Sequence, residues 1–537
     1  MKVHEAIARA LADQGVRVVF GVLGDANLYM MDSFERRAGG CYVSTSHEAG
    51  AVLAANGYAR VTGGLGVATV THGPALTNTL TALVESVKDH TPLLLVAGDT
   101  ALDDPDNFQN ISQREVVLSS GAGFEQVRSA ATVTEDVANA VRRALVERRP
   151  VVLNVPVDLQ WAETEYRALS PRHVADQPIA PSRTVVEDAV GVIAGARRPV
   201  VLAGRGATDE ASREALTRLA ARIGAPLATT LRAKDLFRGE PSDLGVCGTL
   251  SSAATTEVIR RSDCVLAFGA GLNKWTTAEG SMLDGAALVQ VDRDPAAIGR
   301  WAEVSVGVVA DAAVAAGEII ACLDEAEIPA TGFASRALAA PSPSASATRP
   351  PAPGTVDIDE AMRVLDESVP ADRTLVLDGG RFIFSAFTTL HVPHPSAYIH
   401  TVNYGSIGLG MGNALGAAVA APGRPVLMVA GDGGFMLGGL AEFVTAVRHH
   451  LDIVVVVFND GAYGAEHVQF RRKDMDPAIS TFVWPDLGPV ATALGGQGHT
   501  VRSIEELKAA LGTLPDRDRP VLIDVKIDPE AVGTAGH

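Results

Sequence analysis

The stretch Arg424–Asp460, RPVLMVAGDGGFMLGGLAEFVTAVRHHLDIVVVVFND, decides the fold. It runs from an apolar segment (Val426–Val429) through a small-residue turn and an amphipathic segment of helical length to a second apolar, β-branched segment (Ile453–Phe458). Strand, turn, helix and strand in that order are the signature of a parallel sheet covered by helices. Upstream, Gly66–Asp99, GVATVTHGPALTNTLTALVESVKDHTPLLLVAGD, follows the same plan. The first and third parts of the chain therefore read as structural relatives flanking a different middle part. The competing reading, that any two strand–helix–strand units look alike, is one that periodicity alone leaves open.

Further strands are expected at Arg17–Gly21, Leu93–Ala97, Val151–Val155, Val200–Ala203, Cys264–Phe268, Leu288–Val291 and Thr374–Leu377. A Pro-, Ser- and Ala-rich stretch, Ala339–Gly354, reads as an extended linker, and a softer break falls at Ala175–Arg183. The expected organisation is α/β throughout, with three doubly wound parallel-sheet domains at 1–170, 180–328 and 357–537 and a linker over 329–356.

With 537 residues the chain exceeds one ordinary hydrophobic core, and 47% hydrophobic against 20% charged residues is a globular composition. The formal charge of −18 argues against a broad nucleic-acid face or an anionic membrane surface, both of which need clustered Lys and Arg. No apolar run is long enough for a membrane span, and Glu5, Arg9, Asp13 and Arg17 interrupt the place where a leader's apolar core would lie. Cys41, Cys247, Cys264 and Cys322 are far apart, so neither a zinc site nor a disulfide framework is expected, and a reducing cytoplasm fits.

The strongest chemical signal is Gly431-Asp432-Gly433-Gly434 directly after a strand, with Asn459-Asp460-Gly461 closing the next one. Both loops fall at carboxyl ends of neighbouring strands, where open α/β sheets bind ligands. Asp432, Asn459 and the carbonyl of Gly461 offer hard oxygen ligands to an octahedral cation such as Mg²⁺, which completes its shell with phosphate oxygens. The glycines let backbone N–H groups approach a phosphate closely. Gly408–Gly412, GLGMG, mimics a dinucleotide fingerprint, but no strand directly precedes it.

This pattern resembles the thiamine diphosphate signature of the acetolactate synthase, benzoylformate decarboxylase and pyruvate decarboxylase superfamily. Other segments carry the resemblance along nearly the whole chain. Val18–Phe34 is similar to the family's opening strand and loop, Ser46–Arg60 (SHEAGAVLAANGYAR) to the segment with its catalytic glutamate, and Thr71–Asn78 (THGPALTN) to TSGPGATN. Asn107–Gln113 (NFQNISQ) is similar to the carboligases' FQ segment, and Asn403–Ala420 to GxMGxGLPAAIGA.

The resemblance implies pyrimidine-binding, central Rossmann-like and diphosphate-binding domains, in that order. It implies that Glu48 bonds N1′ of the aminopyrimidine, favouring the imino tautomer that generates the ylid. It places the Gly405 carbonyl on the 4′-amine and Ile407 as the apolar prop of the bent cofactor. Further cofactor contacts are implied at Pro74, Asn78, Gly380, Ser406, Gly431, Gly433, Gly434, Tyr463 and Gly464, with Mg²⁺ on Asp432, Asn459 and Gly461. On the substrate side, Gln109 resembles the glutamine that orients a substrate oxygen, with Gln113 close enough to confuse the alignment. His72 stands where a small residue is usual and is a candidate proton shuttle, or else a hydrogen-bonded turn residue. Asn27 lies where relatives carry histidine or a small residue. Glu466 falls one place beyond the acid of decarboxylase-like relatives.

In the middle domain, Val200–Ala207 (VVLAGRGA) resembles the glycine turn that holds FAD in acetolactate synthase, with Asp292 placed to meet a ribose, although many relatives keep this fold without flavin. The resemblance also implies an active site shared between subunits, with a homodimer as minimum and a homotetramer common. The expected activity is a Mg²⁺- and thiamine diphosphate-dependent carboligase or lyase acting on a 2-oxo acid and a carbonyl acceptor, by ylid addition and an enamine. After Asn459 the segment AYGAEHVQFRRKD replaces the Gln-Trp-Gln segment of biosynthetic acetolactate synthases, which puts acetolactate as product in doubt. The alternatives are a simple 2-oxo acid decarboxylase, a diketone C–C hydrolase in which His72 activates water, and a non-catalytic flavin- or nucleotide-binding oligomer.

Overall fold

Three six-stranded sheets carry the chain in the computed structural model, which describes residues 1–171, 177–338 and 351–531. The first sheet comprises β1 Val18–Gly21, β2 Cys41–Ser44, β3 Gly66–Val70, β4 Leu93–Asp99, β5 Gly123–Gln126 and β6 Pro150–Pro156, in the order β2-β1-β3-β4-β6-β5. The second comprises β7 Pro199–Ala203, β8 Leu227–Thr229, β9 Asp243–Val246, β10 Cys264–Phe268, β11 Ala287–Asp292 and β12 Val306–Val309, in the order β12-β11-β10-β7-β8-β9. The third comprises β13 Thr374–Leu377, β14 Tyr398–His400, β15 Val426–Gly431, β16 Ile453–Asn459, β17 Gln497–Val501 and β18 Val521–Lys526, in the order β14-β13-β15-β16-β18-β17. Neighbouring strands pair in parallel, as between β1 and β3, β7 and β10, and β15 and β16.

Counted from its own first strand, the third sheet repeats the order of the first, whereas the middle sheet has the Rossmann order. The kinship read between Gly66–Asp99 and Arg424–Asp460 is therefore one of topology. Helices Leu80–Lys88 and Leu440–Arg448 occupy corresponding places, each after the third strand of its sheet. Every sequence-expected strand is present. β4 and β15 run on to Asp99 and Gly431, so their glycine turns begin at the ends of the ladders.

The first and third sheets belong to one unit, and the middle sheet, with residues 387–398, to another. In the first unit a single apolar core joins both sheets: Phe20, Val52, Leu95 and Val152 pack in one cluster with Met411, Met428, Phe443 and Val455. Its centre is the crossing of helices Glu48–Thr62 and Gly410–Ala420. Small residues let the backbones meet there. A Cβ on Gly57 would overlap the carbonyl of Asn413, and one on Gly416 would overlap that of Ala54. Asn56 donates to Asn413 Oδ1 at 2.9 Å across the same seam.

The linker expected over 329–356 has ordered contacts to the domains at both ends. Thr331 donates its N–H and hydroxyl to Ile223 O at 3.0 Å, and Phe333, at the start of helix Phe333–Leu338, is buried. Val356 is buried too, donating to Lys526 O at 2.8 Å at the end of β18. Residues 339–350 lie outside the described residues, as do 172–176, which overlap the start of the softer break. No helix among the described residues is long and apolar enough to cross a membrane.

Candidate active site

Strand order reverses between β13 and β15 and between β1 and β3, and at such reversals the carboxyl ends of parallel strands open a crevice. In the third sheet the crevice lies between Asp378-Gly379-Gly380 after β13 and Gly431-Asp432-Gly433-Gly434 after β15. In the first it lies between Val22–Asn27 after β1 and Thr71-His72-Gly73 after β3.

Asp432 opens a helical run that continues through a π-helical turn, Phe435–Gly439, into helix Leu440–Arg448. Such turns inside helices are frequent at functional sites. Asp432 is buried; no donor meets its Oδ2 in good hydrogen-bond geometry, and the buried Nε1 of Trp484, likewise without a partner, lies beside it. Burial, reinforced by the neighbouring Asp460 carboxylate, pushes its pKa up to about 7. A buried carboxylate oxygen with no well-placed donor is chemically suited to a cation.

The second expected ligand is oriented by a residue that sequence reading missed. Asn459, at the end of β16, donates Nδ2–H to Asp524 Oδ1 at 2.9 Å, from β18 alongside. Because a carboxylate only accepts, the amide nitrogen must face Asp524, which fixes Oδ1 toward the loop, where it accepts from Gly461 N at 3.1 Å. Asp524 is itself fully buried and also accepts from Leu487 N at 2.8 Å and Lys526 Nζ at 2.9 Å. Gly461 has φ +64°, the left-handed region that favours glycine, and its carbonyl accepts from Phe482 N at 2.6 Å. One lone pair of that carbonyl remains for a cation. Among the described residues no group of three or more His, Cys, Asp or Glu could hold a metal. The three expected ligands, one carboxylate, one amide oxygen and one backbone carbonyl, are all oxygen donors, and two of them are neutral. That set suits Mg²⁺ sharing its shell with phosphate.

Close packing shapes the surrounding cradle. A Cβ on Gly433 would meet the Tyr463 ring at 2.7 Å, and one on Gly464 would overlap Asp460 Oδ2. One on Gly380 would run into the Phe382 ring. Ile407 fits between the turns: its side chain would lie 3.0 Å from a Cβ on Gly379 and 3.5 Å from one on Gly434. Gly405 and Gly408, either side of Ser406-Ile407, have φ +86° and +84°. The Ser406 hydroxyl donates to Ile407 O at 3.1 Å. Asp378, fully buried, accepts from Gly408 N at 3.0 Å and Gly410 N at 3.3 Å, and burial pushes its pKa up to about 6. Arg381 pairs with Asp460 at 2.7 Å and donates to Asp528 O and Ala531 O, tying the chain's last described residues to this end of the sheet. Glu530 from that segment accepts from His467 at 2.9 Å and Arg471 at 2.9 Å on helix Gly464–Arg472.

In the first domain, Glu48 is half-buried at the start of helix Glu48–Thr62, and its Oε2 accepts from Asn78 Nδ2 at 3.0 Å. Pro74 opens the turn that carries Asn78. His72 is 2% exposed, so the turn is built around it. Its Nδ1 lies 3.1 Å from the Thr71 hydroxyl, which donates to Asp25 at 2.9 Å and accepts from Ala26 N at 3.3 Å. With Thr71's proton committed to Asp25, Nδ1 must be the donor to that oxygen, and Nε2 is left as the basic nitrogen.

Gln109 and Gln113 have different surroundings. Gln113 is buried, accepting from Gly73 N at 2.8 Å and donating to Gly98 O at 2.8 Å, so it is a structural tie. Gln109 is half-exposed beside Gly73, its side chain without a partner among the described residues. Asn27, a candidate through the resemblance, lies in the turn after β1. It is 1% exposed, accepting from Gly24 N at 2.8 Å and donating to Val22 O at 3.0 Å and Thr69 Oγ1 at 3.2 Å, which commits its amide to shaping the turn. Glu466 is exposed in the first turn of helix Gly464–Arg472, and its neighbour His467 is the buried residue of that helix.

The glycine turn of the middle domain packs closely against the end of β10. Gly204 N donates to Phe268 O at 2.8 Å and Gly206 N to Gly269 O at 3.0 Å, and a Cβ on Gly206 would lie 2.9 Å from Gly269 Cα. These two N–H groups join the turn after β7 to the end of β10 and the turn that follows it. Asp292, expected at a ribose, accepts from Asp294 N at 3.0 Å.

Comparison with known proteins agrees with this geometry. Residues 1–120 match the thiamine pyrophosphate enzyme N-terminal TPP-binding domain, 186–319 the central domain, and 378–525 the C-terminal TPP-binding domain. The chain is 28% identical to a sulfoacetaldehyde acetyltransferase of Castellaniella defragrans, over 95% of this chain and 90% of that protein. It is 27% identical to a probable acetolactate synthase large subunit of Methanocaldococcus jannaschii (98% and 92%) and 27% to a putative one of Mycobacterium tuberculosis (99% and 98%). With three domain matches in order over more than half its length, the chain belongs to the thiamine pyrophosphate enzymes, as a member of their acetolactate synthase-like superfamily.

Proposed function

We propose that the protein is a Mg²⁺- and thiamine diphosphate-dependent carboligase or lyase acting on a 2-oxo acid or related carbonyl, with a second carbonyl as acceptor. The observation that carries the reading is the unpartnered, buried Oδ2 of Asp432 beside an Asn459 amide whose oxygen Asp524 aims at the same loop. Asp432, Asn459 and the Gly461 carbonyl hold the cation, and the N–H groups at Gly433 and Gly434, opening a helical run, meet the diphosphate. Gly431 and Gly380 leave the crevice open, Tyr463 and Gly464 wall it, and Ile407 sets the bend between Gly379 and Gly434. When bound, the cofactor supplies a thiazolium that acts as electron sink. Glu48 holds a proton at the pyrimidine nitrogen, with Asn78 and Pro74 alongside. Gln109 orients a substrate oxygen. FAD in the middle domain stays a candidate second cofactor, without a role in this carbonyl chemistry.

The acetolactate synthase-like reading keeps a homodimer as the minimum unit and a homotetramer as the expected assembly. Free thiols at all four cysteines are in keeping with a cytoplasmic place of work. A second reading, hydrolysis of a diketone, is favoured by the Asp25–Thr71–His72 chain, which leaves Nε2 of His72 as a base able to take a proton from water. Glu466 and simple decarboxylation have no such support.

Incubating the holoenzyme with a panel of 2-oxo acids, with and without aldehyde acceptors, and identifying products by mass spectrometry tests the proposal. Coupled hydroxyketones or acyl-transfer products are expected. Stoichiometric free aldehyde alone would replace ligation by decarboxylation, and carboxylic acid from a diketone would replace it by hydrolysis.

A further inference from the structure

Two buried carboxylates cross between the first and third domains in opposite directions. Glu85, on helix Leu80–Lys88 of the first domain, is 1% exposed. It accepts from Asn403 N at 3.1 Å, Asn403 Nδ2 at 2.6 Å and Tyr404 N at 2.7 Å in the third domain. Glu442, on helix Leu440–Arg448 of the third domain, is 2% exposed. It accepts from Ser46 N at 3.2 Å and His47 N at 2.9 Å in the first domain, and from Thr445 Oγ1 at 2.7 Å on its own helix.

The arrangement is reciprocal. Each glutamate sits on the helix after the third strand of its sheet, and each grips two successive backbone N–H groups between the second strand and the next helix of the other domain. Consecutive N–H groups form an anion-binding concavity, and the carboxylate fills it. The residue that follows each gripped pair is a proposed cofactor contact: Gly405 after Asn403-Tyr404, and Glu48 after Ser46-His47. The grips are local, because Asp378 separately holds Gly408 and Gly410 on the far side of Ile407. Around Glu442, Thr445 Oγ1 meets Ser46 Oγ at 2.9 Å and Arg448 donates to Ser44 O at 3.2 Å. Around Glu85, Lys88 lies 5.7 Å from the centre of the Tyr404 ring.

We propose that Glu85 and Glu442 are reciprocal positioning residues: Glu85 sets the segment that presents Gly405 and Ile407, and Glu442 sets the segment that presents Glu48. The inference rests on the cofactor reading above for its catalytic consequence, but not for the grip itself. Neither carboxylate touches the reacting atoms. In the proposed homodimer the two segments of one chain serve different sites, so each chain's pair of glutamates adjusts both.

Glu85→Gln and Glu442→Gln keep the side-chain size while exchanging one acceptor for a donor that faces an N–H. Three readings separate the outcomes: peptide-resolved hydrogen exchange of the cofactor-free protein, the thiamine diphosphate dissociation constant at saturating Mg²⁺, and kcat at saturating cofactor. E85Q is expected to speed exchange over 403–408 and weaken cofactor binding about 10-fold or more, with kcat at saturation largely kept. E442Q is expected to speed exchange over 46–49 and lower kcat about 10-fold or more, with cofactor affinity within about threefold of wild type. If either glutamine variant fails to fold, Glu85→Asp or Glu442→Asp, which keeps the charge but shortens the reach, replaces it with the same expected pattern. Unchanged exchange at both segments, or equal loosening of both by each variant, overturns the proposal. A Glu48→Gln enzyme with normal turnover would instead sink the cofactor reading, leaving the exchange result to judge the grip.

Discussion

Asp524→Asn should weaken Mg²⁺-dependent cofactor binding although Asp524 is no ligand. In the wild type its Oδ1 accepts from Asn459 Nδ2 at 2.9 Å and its Oδ2 from Leu487 N and Lys526 Nζ. An asparagine that keeps the bond to Leu487 N must turn its own NH₂ toward the Asn459 NH₂. Asn459 then either flips, taking Oδ1 away from the loop, or leaves a buried donor unmatched. An unsatisfied buried polar group costs ~1–3 kcal/mol, which is ~5- to 150-fold in an equilibrium constant. Residues that orient metal ligands are worth ~10–100-fold in metal affinity, the same range. The assay is titration of the cofactor-free protein with Mg²⁺ at fixed, excess thiamine diphosphate. Lys526→Met is the control, since it loses the same ion pair but leaves Asn459 held. It should lower the melting temperature and leave the Mg²⁺ midpoint in place. A D524N midpoint equal to wild type, alongside a large loss in Asn459→Ala, would refute the orientation argument.

Three other outcomes are expected. Glu48→Gln should fold normally, because glutamine keeps an acceptor for Asn78, yet slow turnover by a factor on the order of 10² in a steady-state assay. Mg²⁺ affinity should rise with pH below about 7 and level off above it: burial raises the Asp432 pKa, a cation lowers it, and binding therefore releases a proton. Calorimetry in buffers of different ionisation enthalpy reads that release, and its absence near pH 6 would contradict the assignment. Gly416→Ala places a methyl into the carbonyl of Ala54 at the helix crossing and should cost ~1–3 kcal/mol of stability, seen as a lower denaturation midpoint.

Much of the fold was legible because buried parallel strands are written as apolar runs, as in Ile453–Asn459 and Leu93–Asp99. The strands that escaped notice include edges or near-edges with half-buried patterns, such as Asp243–Val246 and Gln497–Val501, whose composition does not separate them from loop. In the candidate site, Asp432 and Asn459 were legible from their GDGG and NDG turns, and Glu48, Gly405 and Ile407 were legible only through the family resemblance. The carboxylates that hold them were not. Glu85 meets its partners more than three hundred residues downstream and Glu442 nearly four hundred upstream, so each reads locally as one acid on an amphipathic helix. Asp524 reads as a charge inside an apolar strand, and that anomaly, a buried carboxylate in VLIDVK, was the signal that could have found it. Asn27 was a candidate only through the resemblance; its amide is engaged by the turn around it, which the sequence did not show.

The account stands most directly on equilibrium binding of thiamine diphosphate to the cofactor-free protein, followed by calorimetry with and without Mg²⁺. One molecule bound per chain, with binding lost in chelator and in Asp432→Ala, is the predicted result. No binding, or binding indifferent to Mg²⁺ and to Asp432, would contradict it.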